Sequence, residues 1–216
     1  MNRPNPFSTL LAAVVLAAAA VLTSACSSSP TAPSDSPVTP THPLPPLSVM
    51  LAEKTLGSDT APVTMIGYSS LTCPHCAAFD LDTLPQIKST YIDTGRVKYV
   101  YRDFPLDNAA LAASMVARCS GDKFFTTIDT LFRTQSSWAS GNYVAGIKAA
   151  VSGLDITSSD VDACLADAEL KSGIMAIEQA GIQQYSVNAV PTFLINGQVV
   201  LGAQPFSVFA AIIDGL

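Results

Sequence analysis

Two short segments in the first half of the chain have the apolar and polar pattern of β-strands. Val63–Ser69 is a run of apolar and hydroxyl side chains, whereas residues 96–102 alternate between apolar and polar side chains. The alternating apolar side chains are those of Val97, Tyr99 and Tyr101. Between the two segments apolar residues recur at helical spacing, and Pro85 predicts a kink in that helix. The first part of the fold is therefore predicted as strand, helix, strand.

The middle of the chain has a helical pattern. From residue 107 to about residue 184, apolar side chains recur three and four positions apart, which predicts several helices. Breaks or caps between them are expected at Gly121, Gly141, Gly153 and the Ser158-Ser159 pair.

The last part of the chain returns to strands. Asn196-Gly197 separates two apolar runs, and this dipeptide is the strongest short signal for a β-hairpin. Residues 206–213 are then expected to form a closing helix. The whole pattern predicts an α/β fold, with a helical subdomain inserted at about residues 106–188.

An apolar run near the N-terminus predicts an export signal. Arg3 precedes the almost wholly apolar residues 10–22, and the run closes on Thr23-Ser24-Ala25-Cys26. The run is shorter than the roughly 20 residues that a membrane-spanning helix needs. Because its closing sequence resembles a bacterial lipobox, we expect residues 1–25 to be a lipoprotein-type signal peptide. Cys26 would then be the lipidated mature N-terminus, while plain cleavage after Ala25 and an incidental cysteine are the alternatives.

Composition divides the rest of the chain into a linker and a domain. Residues 26–48 are rich in Ser, Thr and Pro and cannot bury enough apolar surface to fold. We expect a tether that holds a periplasmic or other extracytoplasmic domain near a membrane, a disordered tail without that function being the alternative. Residues 49–216 are long enough for one domain. A net charge of −6 argues against nucleic acid as a partner.

Five cysteines are an odd number for a protein in an oxidising compartment. Lipidation of Cys26 leaves four, which can pair as Cys73 with Cys76 and Cys119 with Cys164. Because Cys119 and Cys164 each fall on the apolar face of a predicted helix, we expect a structural disulfide between two helices. Two buried free thiols and a second redox pair are the alternatives.

The sequence Cys73-Pro74-His75-Cys76 lies between a predicted strand and a predicted helix. Unpaired backbone amides and the helix dipole at that place favour an anion, so we expect Cys73 to be the thiolate nucleophile. Thr72 is expected to cap the helix, Pro74 fits its first turn, and His75 adds a donor or a positive charge near the sulfur. A stabilised thiolate is a good leaving group, so the oxidised pair would pass its disulfide to other thiols.

Two other interpretations of these cysteines are a metal site and a structural disulfide. A zinc or copper site would need further ligands, but the other cysteines belong to separate helices and His42 lies in the predicted linker. A structural disulfide within one helical turn would not link distant parts of the chain. We therefore predict a redox-active pair, with no metal and no cofactor.

Three segments carry a family resemblance. They are Ser70-Leu71-Thr72-Cys73-Pro74-His75-Cys76, Tyr101-Arg102-Asp103-Phe104-Pro105-Leu106 and Val190-Pro191-Thr192-Phe193. From about Leu51 to Leu216 the chain resembles the DsbA-like family of exported thiol:disulfide oxidoreductases. The resemblance implies a thioredoxin fold and disulfide donation through Cys73 and Cys76. It also implies a substrate-binding loop at Val190, Pro191 and Thr192, in which Pro191 is cis.

The resemblance implies partners as well. Substrates would be unfolded or folding exported proteins with free thiols, and a membrane partner, linked to quinone, would reoxidise the pair of a monomeric enzyme. Many family members carry an acid six positions before the first cysteine, where this chain has Gly67. Water, Lys98 or Glu53 could take over the proton transfer of that acid, or Gly67 could simply avoid a clash.

Two other functions stay open at this point. A disulfide isomerase or reductase would use the same cysteines, although family isomerases usually carry an N-terminal dimerisation domain, for which residues 26–48 are too short and too polar. A non-catalytic module would bind copper(I) or another metal through both thiolates.

Overall fold

The computed structural model describes residues 39–216. The predicted signal peptide, the predicted lipidation site Cys26 and most of the predicted linker lie outside these residues. Within the described part of the chain, no helix has both the length and the apolar character needed to cross a membrane.

A five-stranded sheet forms the centre of the fold. Its strands are β1 (Lys54–Leu56), β2 (Val63–Ser69), β3 (Val97–Asp103), β4 (Thr192–Ile195) and β5 (Gln198–Leu201). The spatial order is β1-β3-β2-β4-β5, in which β2 and β3 are parallel and the other neighbours are antiparallel. A parallel pair requires a crossover connection, which the helical segment between β2 and β3 supplies. The predicted α/β class is confirmed, whereas the short edge strand β1 has too few residues to show a period and was not predicted.

Helices account for most of the remaining described residues. Those outside the central block are α1 (Leu47–Met50), α2 (Pro74–Ala78), α3 (Leu84–Ile87) and α10 (Phe206–Asp214). The central block contains α4 (Asn108–Cys119), α5 (Phe124–Arg133), α6 (Gln135–Trp138), α7 (Tyr143–Val151), α8 (Ser158–Ala166) and α9 (Ala168–Tyr185). The sheet and the central block share one apolar core, since Tyr99 and Phe193 from the sheet belong to the same buried cluster as Leu131 and Trp138.

The crossover helix widens where a kink was expected at Pro85. π-Helical segments, Phe79–Thr83 and Lys88–Ile92, lie on either side of α3, and the helix continues through Pro85. Proline has no N–H to donate and its ring crowds the preceding turn, and a wider turn accommodates both effects.

Two internal contacts fix the position of α4 in the domain. A disulfide connects Cys119 at the end of α4 with Cys164 in α8, and their Cα atoms are 6.2 Å apart. The neighbouring Arg118 is 1% exposed and donates from Nε to the Asp103 carboxylate and from a terminal nitrogen to the Met50 carbonyl. The disulfide therefore holds α4 to α8, and Arg118 holds α4 to the end of β3 and to the segment before β1.

The packed region begins before Val49, where the composition places the end of the linker. The His42 backbone N–H donates to Oδ1 of Asp160, and Nδ1 of the same histidine lies 2.8 Å from Oδ2. The Thr41 hydroxyl is 2.7 Å from that of Ser159. A composition rich in Ser, Thr and Pro does not reveal this attachment, because it depends on the buried Asp160 carboxylate of α8.

Candidate active site

Cys73 and Cys76 lie at the start of α2, directly after the loop that leaves β2. Cys73 is the N-cap residue in extended conformation, and Pro74 occupies the first turn of the helix. The expected capping by Thr72 is wrong, since no side chain caps this helix. The Thr72 hydroxyl instead donates to Oδ2 of Asp107 at 2.8 Å, because that carboxylate is a stronger acceptor within its reach.

Both thiols are buried, although to different extents. Cys73 is 7% exposed and Cys76 is 1% exposed, so Cys73 is less accessible than its position at a helix start suggests. The loop before β4 covers it: the Cys73 thiol donates to the Val190 carbonyl at 3.7 Å, and the Val190–Pro191 peptide bond is cis. Pro74 and His75, by contrast, are exposed.

The surroundings of the two sulfurs shift their pKa values in opposite directions. A hydrogen bond from Cys76 lowers the pKa of Cys73 to about 6 despite burial, helped by the backbone N–H groups of Cys76 and His75 and by the His75 charge. The same hydrogen bond, together with burial, raises the pKa of Cys76. Cys73 is therefore a thiolate at neutral pH while Cys76 keeps its proton.

Residues from the central block hold the active-site loop in place. The Gln135 side chain donates to the carbonyls of Leu71 and Cys73, at 2.8 and 3.1 Å. Asp107 caps α4 through Oδ1 and accepts from Thr72 through Oδ2. Sequence reasoning missed Gln135, because a lone glutamine at the start of a short helix carries no recognisable signal.

The space next to Gly67, in the middle of the sheet, is filled by an aromatic side chain. A Cβ atom at position 67 would lie 2.7 Å from the Tyr99 hydroxyl oxygen and 3.2 Å from the Phe193 ring. The two residues that the sequence offered as substitutes for an acid are engaged elsewhere: Lys98 pairs with Glu53 and with Asp59. Of the sequence-based alternatives for Gly67, the structure favours the avoided clash.

The remaining residues of the predicted site belong to the loop of cis-Pro191. Pro191 and Thr192 are buried, and the Thr192 hydroxyl donates to the Ala189 carbonyl at 2.7 Å. The Pro191 carbonyl accepts from the Gly202 N–H, which extends the pairing of β4 and β5 beside the site. Among residues 39–216, no group of three or more His, Cys, Asp or Glu side chains is placed to hold a metal ion.

Comparison with known proteins identifies a family. The family model described as "Thioredoxin" matches residues 51–215. A protein of Rickettsia bellii named "Putative protein-disulfide oxidoreductase" is 30% identical over 145 residues, which cover 66% of this chain and 56% of that protein. "Disulfide bond formation protein D" of Bacillus subtilis is 27% identical over 154 residues, which cover 67% of this chain and 68% of that protein. The chain thus spans about half the length of the rickettsial relatives.

Solved structures of DsbA-type proteins are similar to this chain. The crystal structure of alpha-DsbA1 from Wolbachia pipientis superposes with a TM-score of 0.72 and 29% identity, covering 81% of this chain and 92% of that one. The structure of BdbD from Bacillus subtilis has a TM-score of 0.69 at 20% identity, with 80% and 95% covered, and supports the fold alone.

Proposed function

Because the chain belongs to the thioredoxin family and has DsbA proteins among its structural neighbours, we propose that it is an exported thiol:disulfide oxidoreductase. In this proposal the Cys73–Cys76 pair donates disulfides to unfolded or folding proteins that carry free thiols. The direction of electron flow, the exported location and the substrates are parts of the proposal.

The observation that best supports this proposal is the difference between the pKa values of the two thiols. The pKa of Cys73 lies at about 6 and that of Cys76 is raised, so only Cys73 is a good leaving group at neutral pH. A stabilised thiolate favours the reduced protein, and a protein that is stable when reduced gives its disulfide away.

The reaction consists of two exchanges at sulfur. A substrate thiolate attacks Sγ of Cys73 in the oxidised pair, the Cys73–Cys76 bond breaks, and Cys76 leaves and takes up a proton. A second substrate thiolate then attacks the substrate sulfur of the mixed disulfide, and Cys73 leaves as a stable thiolate. The Val190 carbonyl lies 3.7 Å from the Cys73 sulfur. As the family resemblance implies, the backbone of an extended substrate would pair with this loop beside the reacting sulfur.

The proposal also covers location and partners. The N-terminal sequence supports export and lipidation at Cys26, and the Ser, Thr and Pro residues that follow would tether the domain to a membrane. A membrane-bound, quinone-linked partner would reoxidise Cys73 and Cys76 after each turnover, and the enzyme would act as a monomer without a cofactor.

The redox potential of the Cys73–Cys76 pair tests the direction of the reaction. After equilibration with glutathione buffers we expect a potential closer to about −120 mV, typical of a strong disulfide donor, than to about −270 mV, typical of a reductant. Cys73→Ser should abolish oxidation of a reduced model peptide, whereas Cys76→Ser should trap the mixed disulfide. A potential near that of thioredoxin would contradict donation and favour the reductase hypothesis.

The copper(I) hypothesis has its own measurement. Metal analysis of the reduced protein, purified without chelator, should find less than one tenth of an equivalent of copper or zinc. A stoichiometric metal that is lost in Cys73→Ser would favour the binding module instead.

A further inference from the structure

One side chain of the central block satisfies a buried carbonyl of the active-site loop. Leu71 is 0% exposed, so water does not reach its backbone carbonyl. The Gln135 amide nitrogen donates to that carbonyl at 2.8 Å, and within residues 39–216 no backbone N–H does so. A buried carbonyl that loses its donor is destabilising, and the chain around it shifts until another donor is found. The position of this part of the loop therefore depends on Gln135.

The same amide nitrogen also binds the backbone of the nucleophile. It donates to the Cys73 carbonyl at 3.1 Å, and that carbonyl accepts a second hydrogen bond, also of 3.1 Å, from the Ala77 N–H of α2. Cys73 is the N-cap residue of α2, with a ψ angle of 119°. Since ψ is the rotation that relates the carbonyl to the side chain, two donors on the carbonyl restrict the direction in which the Cys73 sulfur points.

The direction of the sulfur determines which donors reach it. The side-chain hydrogen bond from Cys76 is the main cause of the lowered pKa of Cys73, and the backbone N–H groups of Cys76 and His75 add to it. Hydrogen bonds weaken steeply as their geometry departs from linear. A rotation of the Cys73 backbone would therefore weaken all three interactions together.

The helix that carries Gln135 is itself firmly held. Trp138, one turn further along α6, is 0% exposed, and its indole N–H donates to the Leu131 carbonyl at 2.8 Å. Gly146 of α7 packs so closely on Trp138 that a Cβ atom at position 146 would lie 2.6 Å from the Trp138 Cβ. Because α6 cannot easily follow a movement of the loop, the Gln135 amide serves as a fixed point for it.

We propose that Gln135 is a positioning residue for thiol exchange, whose amide holds the Cys73 backbone so that the sulfur faces the donors at the start of α2. The inference rests on the proposed function, in which Cys73 is the leaving group. Gln135 acts through the Leu71 and Cys73 carbonyls. Its loss should make the Cys73 thiol less acidic, and a less stable thiolate makes the oxidised pair a weaker disulfide donor.

The test compares changes at Gln135 with the same changes at Gln86. The Gln86 amide donates to the Asp82 carbonyl at 2.9 Å and is exposed, so Gln86→Met removes the same kind of hydrogen bond at a place outside the active-site loop. Gln135→Met removes the donor with little change in size. Gln135→Glu also places a carboxylate against two carbonyl oxygens, and Gln86→Glu controls for the added charge.

Thiolate absorbance against pH, measured on the full chain, reports the acidity of Cys73. The parent midpoint lies at about 6. We expect it to rise to about 6.5 or above in Gln135→Met, and further in Gln135→Glu. At pH 7 the glutathione equilibrium of Gln135→Met should then move about twofold or more toward the oxidised protein. Both Gln86 variants should match the parent in both measurements.

The outcomes separate this inference from the proposed function. If Gln135→Met lowers only the free energy of unfolding and keeps the parent midpoint and glutathione equilibrium, Gln135 is merely structural and the inference is wrong. Equal rises in the Gln86 variants would overturn it as well. Should Gln135→Met fail to fold, Gln135→Asn keeps the amide one methylene short of the carbonyls and should show the same rise. A parent potential near that of thioredoxin would instead overturn the proposed function.

Discussion

At the scale of single residues, the two active-site thiols differ because they have different partners. Cys73 receives hydrogen bonds from its own helix start, and Cys76 lies deeper with its sulfur accepting from the Ser70 N–H at 3.5 Å. Gly67 contributes by having no side chain, since the Tyr99 ring occupies the space beside it.

The first residue-scale prediction concerns the cause of the low Cys73 pKa. The hydrogen bond from Cys76 is the largest contribution and the His75 charge the smallest, so Cys76→Ala should raise the pKa of Cys73 more than His75→Ala does. Cys76→Ser keeps a donor and should lie between Cys76→Ala and the parent. Thiolate absorbance against pH measures each value, with the parent midpoint at about 6. A larger shift in His75→Ala would contradict this ranking.

The second residue-scale prediction concerns the crowding at Gly67. Gly67→Ala should lower the free energy of unfolding by about 1–3 kcal/mol, because the new Cβ would lie 2.7 Å from the Tyr99 hydroxyl. Tyr99→Phe removes that oxygen, so the loss should shrink in the Tyr99→Phe background by about 0.5 kcal/mol or more. Urea unfolding of the parent, both single variants and the double variant measures the coupling, and strictly additive losses would exclude the contact.

At the scale of elements, the central helical block holds the active-site loop in position through hydrogen bonds. Gln135 from α6 binds the carbonyls of Leu71 and Cys73, and Asp107 at the start of α4 binds Thr72. The Cys119–Cys164 disulfide joins α4 to α8 within the same block. The block therefore positions the site without supplying either reactive sulfur.

The element-scale prediction concerns this disulfide. Its loop of 45 residues has a chain-entropy value of about 4 kcal/mol in the simplest model. The double variant Cys119→Ala, Cys164→Ala should lower Tm by about 5–15 °C, while oxidation of a model peptide stays within about threefold of the parent rate.

Single variants provide the control for the disulfide. Cys119→Ala and Cys164→Ala should each lose about as much stability as the double variant, because either change breaks the bridge. Loss of peptide oxidation in a double variant that is still folded at the assay temperature would show that the second pair belongs to the redox pathway.

At the scale of the whole molecule, the N-terminal segment is fastened to the far end of the central block. His42 is bound to Asp160 through its backbone and its ring, and Asp160 also accepts from the Thr157 N–H at the start of α8. In the proposed lipoprotein this attachment, and not residue 48, sets the point at which the tether leaves the domain.

The whole-molecule prediction is that acid weakens this attachment. Burial opposes ionisation of Asp160, but hydrogen bonds from His42 and Thr157 outweigh it and lower the pKa below the ordinary value. A lowered carboxyl pKa stabilises the fold above about pH 4 and loses that effect as the pH falls further. Removing the His42 ring should therefore move the acid-unfolding midpoint of the protein to higher pH.

Limited proteolysis gives a second readout for the same contact. His42→Ala should expose residues 39–46 to cleavage at neutral pH, because the Asp160 carboxylate loses its ring partner. His75→Ala is the matched control, since His75 is the other histidine of the chain and is not part of this contact. Equal cleavage of both variants would contradict a stabilising contact between His42 and Asp160.

Local patterns in the sequence determined much of the fold and the reactive pair. Three features depend only on neighbouring residues and can therefore be read from the sequence. They are the apolar run of β2 with the alternating pattern of β3, the Asn196-Gly197 turn, and the start of α2 at Cys73-Pro74. The same applies to the lowered pKa of Cys73, because its largest cause is the hydrogen bond from the Cys76 side chain, three residues along the chain.

Only the tertiary structure decided which distant residues complete the site. The active-site loop is contacted from other elements by Gln135 and Asp107, and the space beside Gly67 is filled by Tyr99. Asp160 likewise binds His42, which lies more than one hundred residues away in the sequence. The physical reason is that burial, and the pKa shifts that follow from it, are set by surrounding atoms that the linear sequence does not place.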